Sequence, residues 1–344
     1  MQPGITIREF TSRIENNHRS RKDYLVSTDQ MIMRPLIDDD EENKLALEFK
    51  GPDGPQSFVI SPLAHRQICT HVDIGAKYYD RLLAEAPRLL SLNVNQWFHL
   101  TPDLQMIRTA GSIVRAFLSS RYHRIDNHHV AEIIFPVLVS QHLRPISMDI
   151  GNQLYIQAIN PHLSEKVGDD LVYAGFCIKN SELGGTCTVS PLLYNANRAN
   201  VIITQDWKYR PSQSSKITTT EALWEQDSKK AAEFQTLLRI REAALDAIEP
   251  EKFRQRVERL RYLSRLRVSN KLRCIARIAQ RYEFNDNEKH ILTDFLGKAQ
   301  HHTALTLVNA IVSMPGKTYD RSIHLQEVGG LILNSTDWDY LLGA

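Results

Sequence analysis

The sequence predicts an α+β fold, an antiparallel or mixed curved sheet flanked by helices and followed by a helical C-terminal region. Two observations carry this. Short runs rich in β-branched and aromatic residues, punctuated by Gly, Pro and Asn turns, recur up to about residue 204. After about residue 216, Ala, Leu, Glu, Gln, Lys and Arg take over. With 42% apolar and 24% charged residues over 344 positions, the chain has globular composition and can bury a large core. The expected division is a polar leader over 1–44, an α+β body over 45–213 and a helical region over 214–344.

The leader is lopsided: Arg8, Arg13, Arg19, Arg21 and Lys22 precede the acidic run Asp38-Asp-Asp-Glu-Glu42. It reads as a partly ordered segment with a solvated acidic turn, or as a basic arm for nucleic acid. A hairpin follows, with Leu45–Lys50 and Gln56–Ile60 flanking Gly51-Pro-Asp-Gly-Pro55. Ser61-Pro62 then sets an N-cap and a proline at the first helical position, predicting a helix to about Val72. Two further helices are expected over Lys77–Glu85 and Pro87–Leu100. From Met106 to Leu118, β-branched residues around Gly111 predict two strands or one bulged strand. His129–Gln141 is an apolar helix. Strands resume at Ile146–Ile150, Leu154–Ala158, Leu171–Lys179, Thr186–Pro191 and Asn200–Thr204. Pro211-Ser-Gln-Ser-Ser215 reads as a linker, and Thr218-x-x-Glu221 is a capping box for a helix reaching Ile248. Pro250 opens the next helix. Leu263 and Leu266 fall off the stripe of Phe253, Val257 and Leu260, so Ser269 or Asn270 is expected to cap a second one.

Cys69, Cys177, Cys187 and Cys274 are far apart and form no C-x-x-C pair, which predicts reduced thiols rather than a zinc site or disulfides. The N-terminus has no apolar signal-like stretch, and no run approaches the roughly 20 apolar residues that span a bilayer. The expectation is a soluble cytoplasmic protein.

The strongest local signal is basic. Between Glu251 and Arg281 stand eleven cations (Lys252, Arg254, Arg256, Arg259, Arg261, Arg265, Arg267, Lys271, Arg273, Arg277 and Arg281) against only Glu251 and Glu258. The whole chain carries only +2, so charge is concentrated here. Arginine suits bidentate phosphate contacts. The same residues also fit an acidic protein surface or a solvated helix face.

A second constellation runs from Arg115 to Asn127. Its Arg115, Arg121, Tyr122 and Arg124 interleave cations with an aromatic ring, as a phosphate-and-stacking surface requires. The plainer reading is a strand-to-helix loop in which Asp126 or Asn127 caps the following helix. The third is Lys179-Asn-Ser-Glu-Leu-Gly-Gly185, a tight turn after an apolar strand, with Asn180 and Glu182 as further candidate site residues.

Catalytic and cofactor motifs are missing. Pro315-Gly-Lys-Thr318 echoes the end of a P-loop, but Ile311 stands where the upstream glycine belongs. The pairs His128-His129 and His301-His302 point about 100° apart on a helix, and no H-E-x-x-H or Cys/His cluster accompanies them. No G-x-S-x-G or strand-following G-x-G-x-x-G occurs. The reading is therefore a protein without cofactor or metal and not an enzyme; scattered acids (Asp80, Asp126, Asp149, Glu182) would be all that a nuclease could use.

Several short segments, in order, resemble the phage- and plasmid-borne proteins carrying domain of unknown function 932. They are Tyr78-Tyr-Asp-Arg-Leu82, Leu92-Asn-Val-Asn-Gln-Trp97, Ile107-Arg-Thr109, Val114–Tyr122 with Ile125-Asp-Asn127, Ile178–Gly184, Asn309-Ala310 and Gly329-Gly330. Where that family tends to place an arginine and a Cys-x-Asn-Gly-like turn, this chain has Tyr194-Asn-Ala-Asn-Arg-Ala-Asn200. The resemblance implies a mobile-element setting (prophage, plasmid or integrative element), where recombination, replication and anti-defence genes cluster. The expected function is a non-catalytic DNA-binding accessory protein of the single-strand-binding or annealing type, acting as a homo-oligomer. Arg115, Arg121, Tyr122 and Arg124 would line a groove, while Arg254, Arg261, Arg265, Arg267, Lys271 and Arg273 would clamp backbone phosphates. The alternative is an interaction protein that meets an acidic host or mobile-element protein, for example in anti-defence.

Overall fold

Alternating burial sets the strands of the first sheet. The computed structural model describes residues 6–36, 44–204 and 222–338, apart from Asp53, His123, Asn152 and Gln300. After a helix, α1 (Ile7–Arg19), come β1 (Arg21–Ser27), β2 (Met31–Pro35), β3 (Leu45–Gly51) and β4 (Gly54–Ile60). The sheet is completed by β5 (Leu104–Ala110) and β6 (Ile113–Ser119), in the order β1-β5-β6-β4-β3-β2. All its pairs are antiparallel except β4 with β6. The segment expected as a polar leader thus supplies two edge strands. Tyr24, Val26, Met31 and Met33 face inward at period 2, while Leu25 and Ile32 between them are exposed. The acidic run 38–42, the linker 211–215 and the box Thr218/Glu221 lie outside the described residues.

Between the two halves of this sheet run α2 (Pro62–His71), α3 (Ala76–Glu85) and α4 (Pro87–Leu100). Ser61 caps α2 by accepting the Ala64 N–H, with Pro62 at the first helical position, as its sequence predicts. Ile68, Leu90, Val94 and Phe98 pack on Met31, Leu47, Phe58 and Phe117 of the sheet.

The second sheet is a curled antiparallel meander, β7 (Arg144–Ile150), β8 (Leu154–Val167), β9 (Asp170–Asn180), β10 (Thr188–Asn195) and β11 (Asn200–Ile203). Register shifts at Ile159/Ser164 and Pro145/Ser147 bend it. One face takes α5 (Asn127–Ser140) and α6 (Ala222–Ala247): Ile156, Phe176, Ile178 and Val189 meet Ile134, Leu138, Ile240 and Ala244, with Phe10 and Ile14 of α1 alongside. Both faces are covered, so β10 is buried along its whole length.

The rest is helical: α7 (Pro250–Arg265), α8 (Lys271–Arg281), α9 (Asp286–Lys298), α10 (Ala304–Val312) and α11 (Tyr319–Leu333). The expected break after α7 is present, and Asn270 caps α8 through the Arg273 N–H at 3.0 Å. The P-loop echo is a helix start: Thr318 accepts the Arg321 N–H and caps α11. This bundle docks directly on the second sheet. A Cβ at Gly330 would stand 1.8 Å from the Ile203 carbonyl oxygen, so only glycine lets α11 approach β11. All four cysteines are buried and none forms a disulfide, and burial pushes the Cys187 thiol up to about 12. Among the described residues, no helix is long and apolar enough to cross a membrane.

Candidate nucleic-acid interface

The cations that the sequence singles out divide into an inward-facing set and an outward-facing set. The inward set joins the two sheets. Arg108 on β5 is only 3% exposed and has three partners: Asp23 at 3.0 Å, Asp126 at 2.7 Å and the Glu182 carbonyl oxygen at 2.8 Å. Glu182, in the loop after β9, is also 3% exposed. Its carboxylate accepts from Arg21, from Arg115 at 3.0 Å and from the Asn127 backbone N–H at 2.8 Å. Asn180 Nδ2 donates to the Ile125 carbonyl and to Asn127 Oδ1, both at 2.8 Å. The Tyr122 hydroxyl donates to the Ser181 carbonyl at 3.3 Å.

Three cations (Arg21, Arg108, Arg115) therefore meet three acids (Asp23, Asp126, Glu182) where water is scarce, which is how buried charge is tolerated. Burial alone would raise the Asp126 carboxyl, but the Arg108 guanidinium overrides it and holds it below its ordinary range. Burial pushes the Tyr122 hydroxyl up to about 12, so it stays protonated as a donor.

The groove expected from Arg115, Arg121, Tyr122 and Arg124 is mostly turned inward. Arg124 reaches Asp23 at 3.5 Å and Glu233 at 3.4 Å, Arg115 is held by Glu182, and Tyr122 is largely buried against Ser181. Arg121 is exposed. Beside Arg115 lies a cleft of about 710 Å³, lined also by Ser61, Gln67, Ser181, Gly184 and Asp320. In it Arg115 faces Glu182, and Asp320 accepts the Tyr155 hydroxyl at 2.7 Å. Asp126, Asn127, Asn180 and Glu182 thus form a structural joint between sheets. The sequence signal for its missing members is Arg108, a lone cation inside an apolar strand; Arg21 and Asp23 carry no such mark.

The outward set lies on the helical region, where α7 and α8 meet. Within α7 most cations are engaged: Arg254 with Glu251 at 3.3 Å, Arg259 with Asn334 at 2.6 Å, and Arg261 with Glu258 and Glu165. Arg256 is buried and donates to the Ala247 carbonyl at 3.1 Å. Past that point the pattern changes. Arg265, Arg267 and Arg273 are exposed and Lys271 half-exposed, and among the described residues no carboxylate pairs with any of the four.

Backbone bonds tie this corner to the α9–α10 loop: Val268 N–H donates to the His302 carbonyl at 2.9 Å and Ala304 N–H to the Leu266 carbonyl at 2.8 Å. Lys271 Nζ lies 3.5 Å from the Leu296 carbonyl at the end of α9. Next to it opens a cleft of about 470 Å³ lined by Arg198, Phe295, Lys298, His301, Thr306 and Asn309. Exposed rings share helix faces with these cations. Tyr262, 54% exposed, precedes Arg265 by three residues, and Phe295 precedes Lys298 by three. Leu272, between Lys271 and Arg273, is 71% exposed.

No family model, curated protein or solved structure matches this chain.

Proposed function

We propose that the chain is a non-catalytic DNA-binding accessory protein, with the α7–α8 corner and the neighbouring α9 end as its phosphate-contacting surface. The observation that carries this is the cluster Arg265, Arg267, Lys271 and Arg273. Four cations without carboxylate partners among the described residues lie on one short stretch, while Arg254 and Arg261 before them face carboxylates. Unpaired surface guanidinium groups suit bidentate contacts to phosphate. Tyr262 and Phe295 add stacking faces beside charge, which favours single strands, whose bases are free to stack. The resemblance to mobile-element proteins agrees with an accessory role in recombination or replication.

A strand held along several copies would explain the second exposed surface. Leu89, Leu92, Trp97 and Leu100 on α4, with Tyr78 on α3, leave large apolar side chains in water, as a self-association face would.

Fluorescence-anisotropy titration of labelled single- and double-stranded DNA tests the reading. The combined variant Arg265→Glu, Arg267→Glu, Lys271→Glu and Arg273→Glu should lose binding that the wild type has. If wild type binds neither strand at low salt, the reading fails, and the same basic corner would be assigned to an acidic protein surface.

A further inference from the structure

His18 ends α1, and His128 and His129 open α5. Packing of α1 on α5 brings the His18 and His128 rings to a centroid separation of 4.5 Å, nearly edge-on at 76°. The His128 and His129 rings are 4.7 Å apart. Glu132 stands one turn along α5, its carboxylate 3.4 Å from His128 Nε2. One ligand atom from each of His128, His129 and Glu132 lies within 4.8 Å of the others. The adjacent histidines, which diverge on an isolated helix, thus gain a third imidazole from a chain segment more than a hundred residues away.

We propose that His18, His128, His129 and Glu132 bind a borderline-soft divalent transition-metal ion of the zinc class, which clips α1 onto α5. Imidazole nitrogens with a single carboxylate select zinc, cobalt or nickel over the hard, oxygen-seeking magnesium and calcium. Bonds of about 2.0–2.2 Å require donor atoms closer together than they now lie. The side chains must rotate to meet, His18 from its ring contact with His128, and they have room to do so, because His18 and Glu132 are exposed and His128 and His129 only half-buried. No core packing must be broken. The ion would act structurally: α1 is otherwise held through Phe10 and Ile14, and the clip would fix its C-terminal end close to Arg21, a partner of Glu182. This inference is independent of DNA binding.

The test is titration of the untagged, metal-stripped full chain with Zn²⁺ by calorimetry and with Co²⁺ by visible absorption, together with thermal melts. Wild type should bind one equivalent with a d–d spectrum of mixed nitrogen and oxygen ligation, and Zn²⁺ should raise its Tm. The His128→Ala/His129→Ala variant and, separately, the exposed-site variant His18→Ala should melt like metal-free wild type yet bind about tenfold or more weakly. His301→Ala/His302→Ala should behave as wild type. No binding by wild type, or undiminished binding by His18→Ala and by the double variant, overturns the proposal. Should the double variant not fold, His18→Ala and Glu132→Gln, both at exposed positions, decide it alone.

Discussion

Glu182 accepts the backbone N–H of Asn127 at 2.8 Å, so a loop of the second sheet caps the first turn of the helix that leaves the first sheet. The same carboxylate pairs with Arg21 and Arg115. Replacing Glu182 by Ala strands two largely buried guanidinium groups and an N–H at once. Loss of one partner from a buried ion pair costs about 3–5 kcal/mol. Urea denaturation should register that loss for Glu182→Ala and a smaller one for Glu182→Gln, which can still accept the Asn127 N–H. DNA affinity per folded molecule should not change, because this joint faces inward.

The fold should weaken in mild acid through His65. Its ring is buried, hydrogen-bonded to the Tyr79 hydroxyl at 2.8 Å, and burial lowers its pKa to about 4. The unfolded chain takes up this proton near pH 6.5, whereas the folded chain resists it until about pH 4. Stability is therefore fully present above about 6.5 and falls as pH drops towards 4, by up to about 3 kcal/mol. Chemical denaturation across this range should show the slope in wild type and a flatter profile in His65→Gln.

The paired cations of α7 should matter little for DNA. Arg254 and Arg261 already face carboxylates, so Arg254→Gln and Arg261→Gln should each shift DNA affinity by less than about twofold, whereas Arg267→Gln or Arg273→Gln should weaken it severalfold. Equal effects at both pairs of positions would mean that total charge, not the corner, drives binding.

Self-association should depend on α4. Leu92 is 66% exposed in a stripe with Leu89 and Leu100, and Trp97 flanks it. Leu92→Glu with Leu100→Glu should shift sedimentation towards monomer while the chain stays folded by circular dichroism, since neither side chain is buried within the single chain. A wild-type chain that is monomeric at tens of micromolar would remove the oligomer from the picture.

Much of the fold is legible in the sequence. Ser61-Pro62, Gly111, Asn270 and the period-2 runs are local signals, and the structure uses each of them locally. The leader is misread because the charged residues Arg21, Lys22, Asp23 and Arg34 fill the ends of two short strands whose inward positions carry Tyr24, Val26, Met31 and Met33. Start of α5 at Asn127, two residues before the apolar run predicts, depends on Glu182, 55 residues away. Site residues divide the same way. A run of cations is visible in sequence, but which ones are neutralised is a tertiary fact: Arg261 meets Glu165 across 96 residues, and Arg108 meets Asp23 across 85. His18 joins His128 only because α1 packs on α5.

The most direct test of the central claim is the salt dependence of single-stranded DNA affinity, by anisotropy, for wild type and the four-residue Glu variant of Arg265, Arg267, Lys271 and Arg273. Four phosphate contacts predict a log–log slope of roughly −3 for wild type, and binding by the variant should be too weak to measure. A slope near zero, or a variant that binds as tightly as wild type, would contradict the account.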